Sequence, residues 1–310
     1  MAEFKEKYVR FDWAIKKLLR DKANYDILEG FLEVFLQIGK VKIKNILESE
    51  ANQTNPDDKF NRVDIKAVDE NGEIFIVEVQ LTRYVYYIER ILYGVSKAVV
   101  EQMSLGDDYG KIKKVYSISL VYYSLGVGED YIYEAKTDFI GVHKKDILKL
   151  TFNEEKVVKE LENPATIKIE DHDLIPISDI MPLYYIIRVN NFNSEVKTAM
   201  DEWMNFLKNN KIADDTSVPG LPRAKDVLSI DNMTPEERAK YLNHIESVRN
   251  EKEAILTARI EGRLEGRAEG IVEGRLEEKK SMARQMKTDG MPIDIIIKYT
   301  GLSKEAIEKL

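Results

Sequence analysis

Asp64, Glu78 and Gln80 are the residues whose types and spacing could do chemistry. They fall within "RVDIKAVDENGEIFIVEVQ" (62–80), which reads as two apolar strands around a tight turn. An ionised carboxylate inside an apolar strand is costly to bury unless something compensates it. Two such acids side by side repel unless one takes a proton or a cation lies between them. With oxygen donors and neither imidazole nor thiolate nearby, the compensating ion would be Mg²⁺ or Mn²⁺, ions that keep bound waters and take phosphate oxygens. The chemistry that follows is phosphodiester hydrolysis. Set against this is a solvent-facing strand whose acids are merely exposed.

Whether the acids meet depends on the turn. Along a strand, side chains alternate, so Asp64 and Lys66 share one face, as do Glu78 and Gln80. A two-residue Asn71-Gly72 turn would pair Asp64 with Val79 and separate the acids. A three-residue bend, Glu70-Asn71-Gly72, with Gly72 left-handed, pairs Asp64 with Glu78. Both turns fit the residues, only the second makes a site, and it is the one expected here.

Composition narrows the alternatives. The 310 residues include 44% hydrophobic and 33% charged side chains, as in a globular protein. No apolar run approaches membrane-spanning length, and "MAEFKEKYVRFDW" lacks a secretory apolar stretch, so no membrane association is expected and the expected setting is the cytoplasm. The absence of cysteine removes thiolate zinc sites and cysteine nucleophiles. His143, His172 and His244 are scattered, which removes paired-imidazole metal motifs. "GDDYGK" lacks Walker spacing, so no nucleotide cofactor is expected. The net charge of −8 opposes a surface coated for nucleic acid, though not a local basic groove.

The elements that must position these acids follow from periodicity. "RFDWAIKKLLRD" and "NYDILEGFLEVFLQIG" have helical spacing, with Asp12 placed to cap the first and the second ending near Gly39. "KVKIKNILES" reads as a short strand and "EANQTNPDDKFN" as a loop. "YYIERILYGVSKAVVEQM" reads as a helix with Ile88, Ile91, Leu92, Val95 and Val99 on its apolar side, and "KKVYSISLVYY" as a buried strand. Beyond residue 130 the signal weakens. "YEAKTDFIGVHKKDILKLTF" reads as strand and loop, "NFNSEVKTAMDEWMNFLKNN" as a helix carrying Trp203 and Phe206 inward, and "ADDTSVPGLPRAKD" as a loop or domain edge. A long helix then opens on Thr234 and Pro235.

This order resembles the PD-(D/E)XK nuclease superfamily, and within it the transposase-like branch of recombination-promoting nuclease (Rpn) proteins. "FDWAIKKLL" is similar to that branch's opening motif, "RVDIKAVDENGEIFIVEVQ" to its catalytic hairpin, "ERILYGVSKAVVEQMSLGDDYGKIKKVYSISLVYY" to its following helix, turn and strand, and "DEWMNFLK" to a later helix, over about residues 4–245. The resemblance implies a restriction-endonuclease-like α/β fold, a mixed sheet flanked by helices. It implies Asp64 and Glu78 as metal ligands, with Gln80 where the superfamily usually has lysine. Val63 stands where the motif has proline. A glutamine cannot act as a base or carry charge, and can only orient water or phosphate. Lys66 could supply the missing charge or be a solvated strand lysine, Asp12 could be an auxiliary acid or only a cap, Arg90 could line a DNA path, and Tyr93 could line the same path or be a core residue.

Residues 261–276 repeat by fours, "EGRLEGRAEGIVEGRL". On a helix this makes a Glu row, an Arg row, an apolar row (Ile260, Leu264, Ala268, Val272, Leu276) and a glycine row. The glycines cost roughly 4 kcal/mol in an isolated helix, and the charge rows place like beside like. A second helix would set Glu rows against Arg rows in a right-handed wrap, so homo-oligomerisation through the C-terminal helices is expected. A flexible charged linker is the alternative. "DGMPIDIIIKYTGLSKEAIEKL" resembles a helix-turn-helix, but its lysines are offset by acids, which favours a small packing module.

The expected division is 1–225 nuclease-like domain, 226–285 long helix with tetrad repeats, and 286–310 small helical tail. The expected function is a Mg²⁺-dependent DNA endonuclease, its rivals being a poorly cleaving DNA-binding or regulatory protein and an oligomeric interaction protein.

Overall fold

The computed structural model describes residues 7–17, 21–47, 64–151 and 174–310. Leu18, Leu19, Arg62, Val63 and the loop expected at 50–61 lie outside the described residues. The chain divides into two compact units, Met1–Tyr241 and Leu242–Leu310.

In the first unit the order is α1 (Phe11–Lys17), α2 (Tyr25–Leu36), β1 (Ile43–Leu47), β2 (Ile65–Asp69), β3 (Ile74–Gln80), α3 (Tyr87–Val100) and β4 (Val115–Val121). There follow β5 (Ile132–Ala135), β6 (Lys149–Thr151), β7 (Leu174–Pro176), β8 (Leu183–Arg188), α4 (Ala199–Asn209) and α5 (Leu221–Val227). Six strands form one mixed sheet, ordered β1-β2-β3-β4-β8-β5. Strands β3, β4 and β8 run parallel at its centre and the outer pairings are antiparallel. Every residue of β4 is buried, as a strand covered on both faces requires.

Strand β8 was not read from the sequence. Its "LYYIIR" is β-branched and aromatic, and that was the available signal. The segment expected as a loop at 213–226 instead holds all but the last residue of α5, which packs closely on α2. A Cβ added to Gly30 would lie 2.3 Å from the Gly220 nitrogen, so only hydrogen fits at that crossing. Asp12 is not the cap of α1. Trp13 and Ala14 donate to the Arg10 carbonyl, so Arg10 holds the capping position and Asp12 sits inside the first turn. Helix α2 ends at left-handed Gln37, two residues before Gly39.

On one side of the sheet α3 packs with Tyr87, Ile91, Val95 and Ala98 against Ile74, Ile76, Val115 and Val121. The apolar side expected for α3 is therefore rotated. Tyr87, Ile91, Val95 and Ala98 form its inward line, whereas Ile88 and Leu92 face outward. The helix carries a broad apolar stripe, and the sheet covers the half led by Tyr87. An aromatic core joins α1, α2 and α4, with Trp203 6.1 Å from Phe11 and 5.4 Å from Phe31 between ring centroids.

The second unit contains most of α6 (Pro235–Thr288), then α7 (Ile293–Thr300) and α8 (Lys304–Glu308). The start of α6 carries a reciprocal cap in which Glu237 N–H donates to Thr234 Oγ1 and Thr234 N–H donates to Glu237 Oε2. Ala283, Ile296, Leu302 and Ile307 make a small core, with left-handed Gly301 ending α7 and Ser303 capping α8. Among the described residues no helix is long and apolar enough to cross a membrane.

Candidate metal centre

The β2–β3 turn is the three-residue bend. Ile65 pairs with Val77, Lys66 with Ile76, Ala67 with Phe75 and Val68 with Ile74. One step further along that ladder Asp64 stands opposite Glu78. Asp69 explains why this register wins over the two-residue alternative. Its buried carboxylate accepts the N–H groups of Asn71 at 2.9 Å and Glu73 at 2.8 Å, and Gly72 takes φ +83°. The side chain thus satisfies the bend's donors, and glycine permits its left-handed step.

Asp64 is half-buried, and its Oδ2 accepts the Val79 N–H at 2.7 Å, which fixes the carboxylate across the hairpin. Glu78 is only 6% exposed. Its Oε1 lies 3.6 Å from Arg90 Nη2, an ion-pair distance rather than a hydrogen bond. Its Oε2 is buried with no hydrogen-bond partner among the described residues. Burial pushes the Glu78 carboxyl up to about 7, Arg90 opposes the shift and Asp64 adds to it.

Tyr87 and Ser119 complete the wall behind Glu78. In the β3–β4 register Ser119 partners Glu78, and Ser119 is buried. The Tyr87 hydroxyl stands beside Ser119 and Glu78 but meets neither in hydrogen-bonding geometry, and burial pushes its pKa up. The Tyr123 hydroxyl is a third buried oxygen with no hydrogen-bond partner among the described residues, its ring 6.3 Å from that of Tyr87. Sequence reasoning singled out none of these three. Serines at alternate positions in the otherwise apolar "VYSISLV" were the available signal.

The other expected site residues are placed as follows. Gln80 is half-buried and its Nε2 donates to the Thr82 carbonyl at 3.1 Å. The Lys66 ammonium pairs with Glu101, just past the C-terminal end of α3, at 2.5 Å, so its charge is engaged there. Asp12 is buried with its Oδ1 2.9 Å from Arg10 Nε. Arg90 bridges Glu78 and the ring of Tyr84, 5.5 Å from its centroid. Tyr93 is on the outer part of α3. Among the described residues no three His, Cys, Asp or Glu side chains gather as metal ligands. The donor set here is two carboxylates, one with an unpartnered oxygen. A hard divalent ion fits that set, because such ions fill their remaining positions with water and substrate phosphate.

A mixed sheet with a parallel centre, its hairpin acids set side by side and helices on both faces, defines the restriction-endonuclease-like α/β class. Residues 9–258 match the family described as PD-(D/E)XK nuclease family transposase, and the chain belongs to that family. No curated protein and no solved structure matches the chain.

Proposed function

We propose that the protein is a Mg²⁺- or Mn²⁺-dependent DNA endonuclease that hydrolyses phosphodiester bonds, with Asp64 and Glu78 as the ion's ligands. The observation that carries this reading is Glu78, a buried carboxylate beside a second acid with one oxygen unpartnered. A bound divalent ion would lower the pKa of water and stabilise the departing oxyanion. Asp64 is held ready by the Val79 N–H. Arg90 partly offsets the Glu78 charge and orients its Oε1. Gln80 positions the nucleophilic water through its amide and cannot take its proton. Asp12, Lys66 and Tyr93 are assigned no step.

A second reading, a DNA-binding or regulatory protein that cleaves poorly, is favoured by the engagement of both candidate substitutes for the lysine: Gln80 with Thr82 and Lys66 with Glu101. The exposed tetrad helix supports homo-oligomerisation through the C-terminal helices under either reading, and the expected cytoplasmic setting belongs to the same proposal.

Purified protein is incubated with plasmid DNA in Mg²⁺, in EDTA, and as the Asp64→Ala variant. Nicking or linearisation by the wild type in Mg²⁺ alone is expected. Salt-dependent DNA binding without cleavage would select the second reading, and neither binding nor cleavage would leave only an interaction protein.

A further inference from the structure

The segment joining β3 to α3 leaves the candidate site and immediately exposes three large side chains, Tyr84 at 51%, Val85 at 84% and Tyr86 at 73%. Single exposed apolar residues are ordinary, whereas a contiguous run marks a contact surface. Tyr84 is tied to the site itself. The Arg90 guanidinium lies 5.5 Å from the Tyr84 ring centroid, and the same guanidinium reaches Glu78 Oε1 at 3.6 Å. The ring is therefore held close to the proposed metal ligands, with half its surface open. Arg83, exposed beside it, supplies a positive charge for a backbone phosphate.

We propose that this ledge stacks bases of unpaired nucleotides, so that the preferred substrate is single-stranded DNA or duplex DNA opened beside the cut. The inference rests on the nuclease reading and adds the substrate's form. In an intact duplex the base faces are stacked on one another and unavailable to a tyrosine ring. An unpaired or extruded base offers its face to an aromatic platform. Tyr84 and Tyr86 are two such platforms, separated by one residue on the loop that follows Gln80. The neighbouring Ile88 and Leu92, also exposed on α3, make a second copy of this chain the competing occupant. Against that competitor, the ring fixed by Arg90 and the adjacent Arg83 provide an aromatic face and a cation together at the edge of the site, which is what an unpaired strand requires.

The test uses the full chain in EDTA, with fluorescence anisotropy on oligonucleotides of one sequence prepared as single strand, duplex, duplex with a central bubble, and single strand carrying abasic positions. Single strand and bubble are expected to bind more tightly than duplex. Tyr86→Ala should weaken single-strand binding about tenfold while leaving duplex binding unchanged, and Tyr86→Phe should restore it. Abasic positions should cost the wild type a similar factor and cost Tyr86→Ala little more. Equal effects of Tyr86→Ala on single strand and duplex, or no effect on either, overturn the inference while the nuclease reading stands. So does loss of self-association in sedimentation with DNA binding intact, which gives the ledge to a second copy. A wild type that neither binds DNA of any form nor cleaves it in Mg²⁺ removes the nuclease reading and this inference together.

Discussion

Glu78 is where burial, charge and chemistry compete most directly. In the unfolded chain a glutamate titrates near about 4.3, whereas burial raises Glu78 to about 7 in the fold. Between those values the folded protein holds a proton that the unfolded chain has released. Stability therefore declines as pH rises from about 4.3 to about 7 and stays lowered above it. The penalty is on the order of 3 kcal/mol when no cation is bound. Glu78→Gln mimics the protonated form, so in EDTA it should be more stable than the wild type at pH 8 and nearly equal to it at pH 4. Added Mn²⁺ should close the gap at pH 8 by stabilising the wild type alone. Urea unfolding of both proteins at the two pH values measures this, and a gap that does not change with pH would contradict it.

At the scale of elements, the hairpin turn decides whether a site exists. Gly72 holds φ +83°, and a Cβ there would also approach Lys113 Cγ at 3.3 Å. Gly72→Ala should destabilise the protein by about 1–2 kcal/mol, from left-handed strain. Because the bend sets the register, the same substitution should reduce cleavage by more than the stability loss alone explains. Thermal unfolding beside plasmid nicking separates the two effects, and unchanged nicking at a temperature where the variant is fully folded would show that the register tolerates the change. The bend was legible in "DENGE", but the choice between its two forms was not settled there. The deciding group was the Asp69 carboxylate accepting two backbone donors. Strand β8 was missed for a different reason. Its neighbours in the sheet, β4 and β5, are distant in sequence, so no local turn announced it.

For the whole molecule, the long helix α6 carries the remaining question. Gly262, Gly266, Gly270 and Gly274 have nothing within 4 Å of an added Cβ, so alanine fits at each in the single chain. Replacing all four should raise helix stability by roughly 1 kcal/mol per site. If two copies approach along the glycine row, the same change should weaken self-association, because the added methyl groups hold the backbones apart. Circular dichroism melting with sedimentation velocity reads both quantities. A wild type that sediments as a monomer at all concentrations would remove the assembly proposal.

What the residues determined alone is what depends on near neighbours along the chain. Alternation put Asp64 with Lys66 and Glu78 with Gln80, glycine at 72 allowed the bend, Thr234 and Pro235 started α6, and the tetrad set its rows. The tertiary structure decided the rest. Periodicity fixes how side chains in one element are spaced relative to each other, but not which part of an apolar stripe meets a partner. Ile88 and Leu92 have the same helical spacing as Ile91 and Val95, and only the sheet's position turned Tyr87 inward and left them exposed. The burial of Glu78, its nearness to Arg90 and the wall of Tyr87 and Ser119 likewise required β3, β4 and α3 to be assembled, because a carboxylate's environment is made by groups distant in the chain.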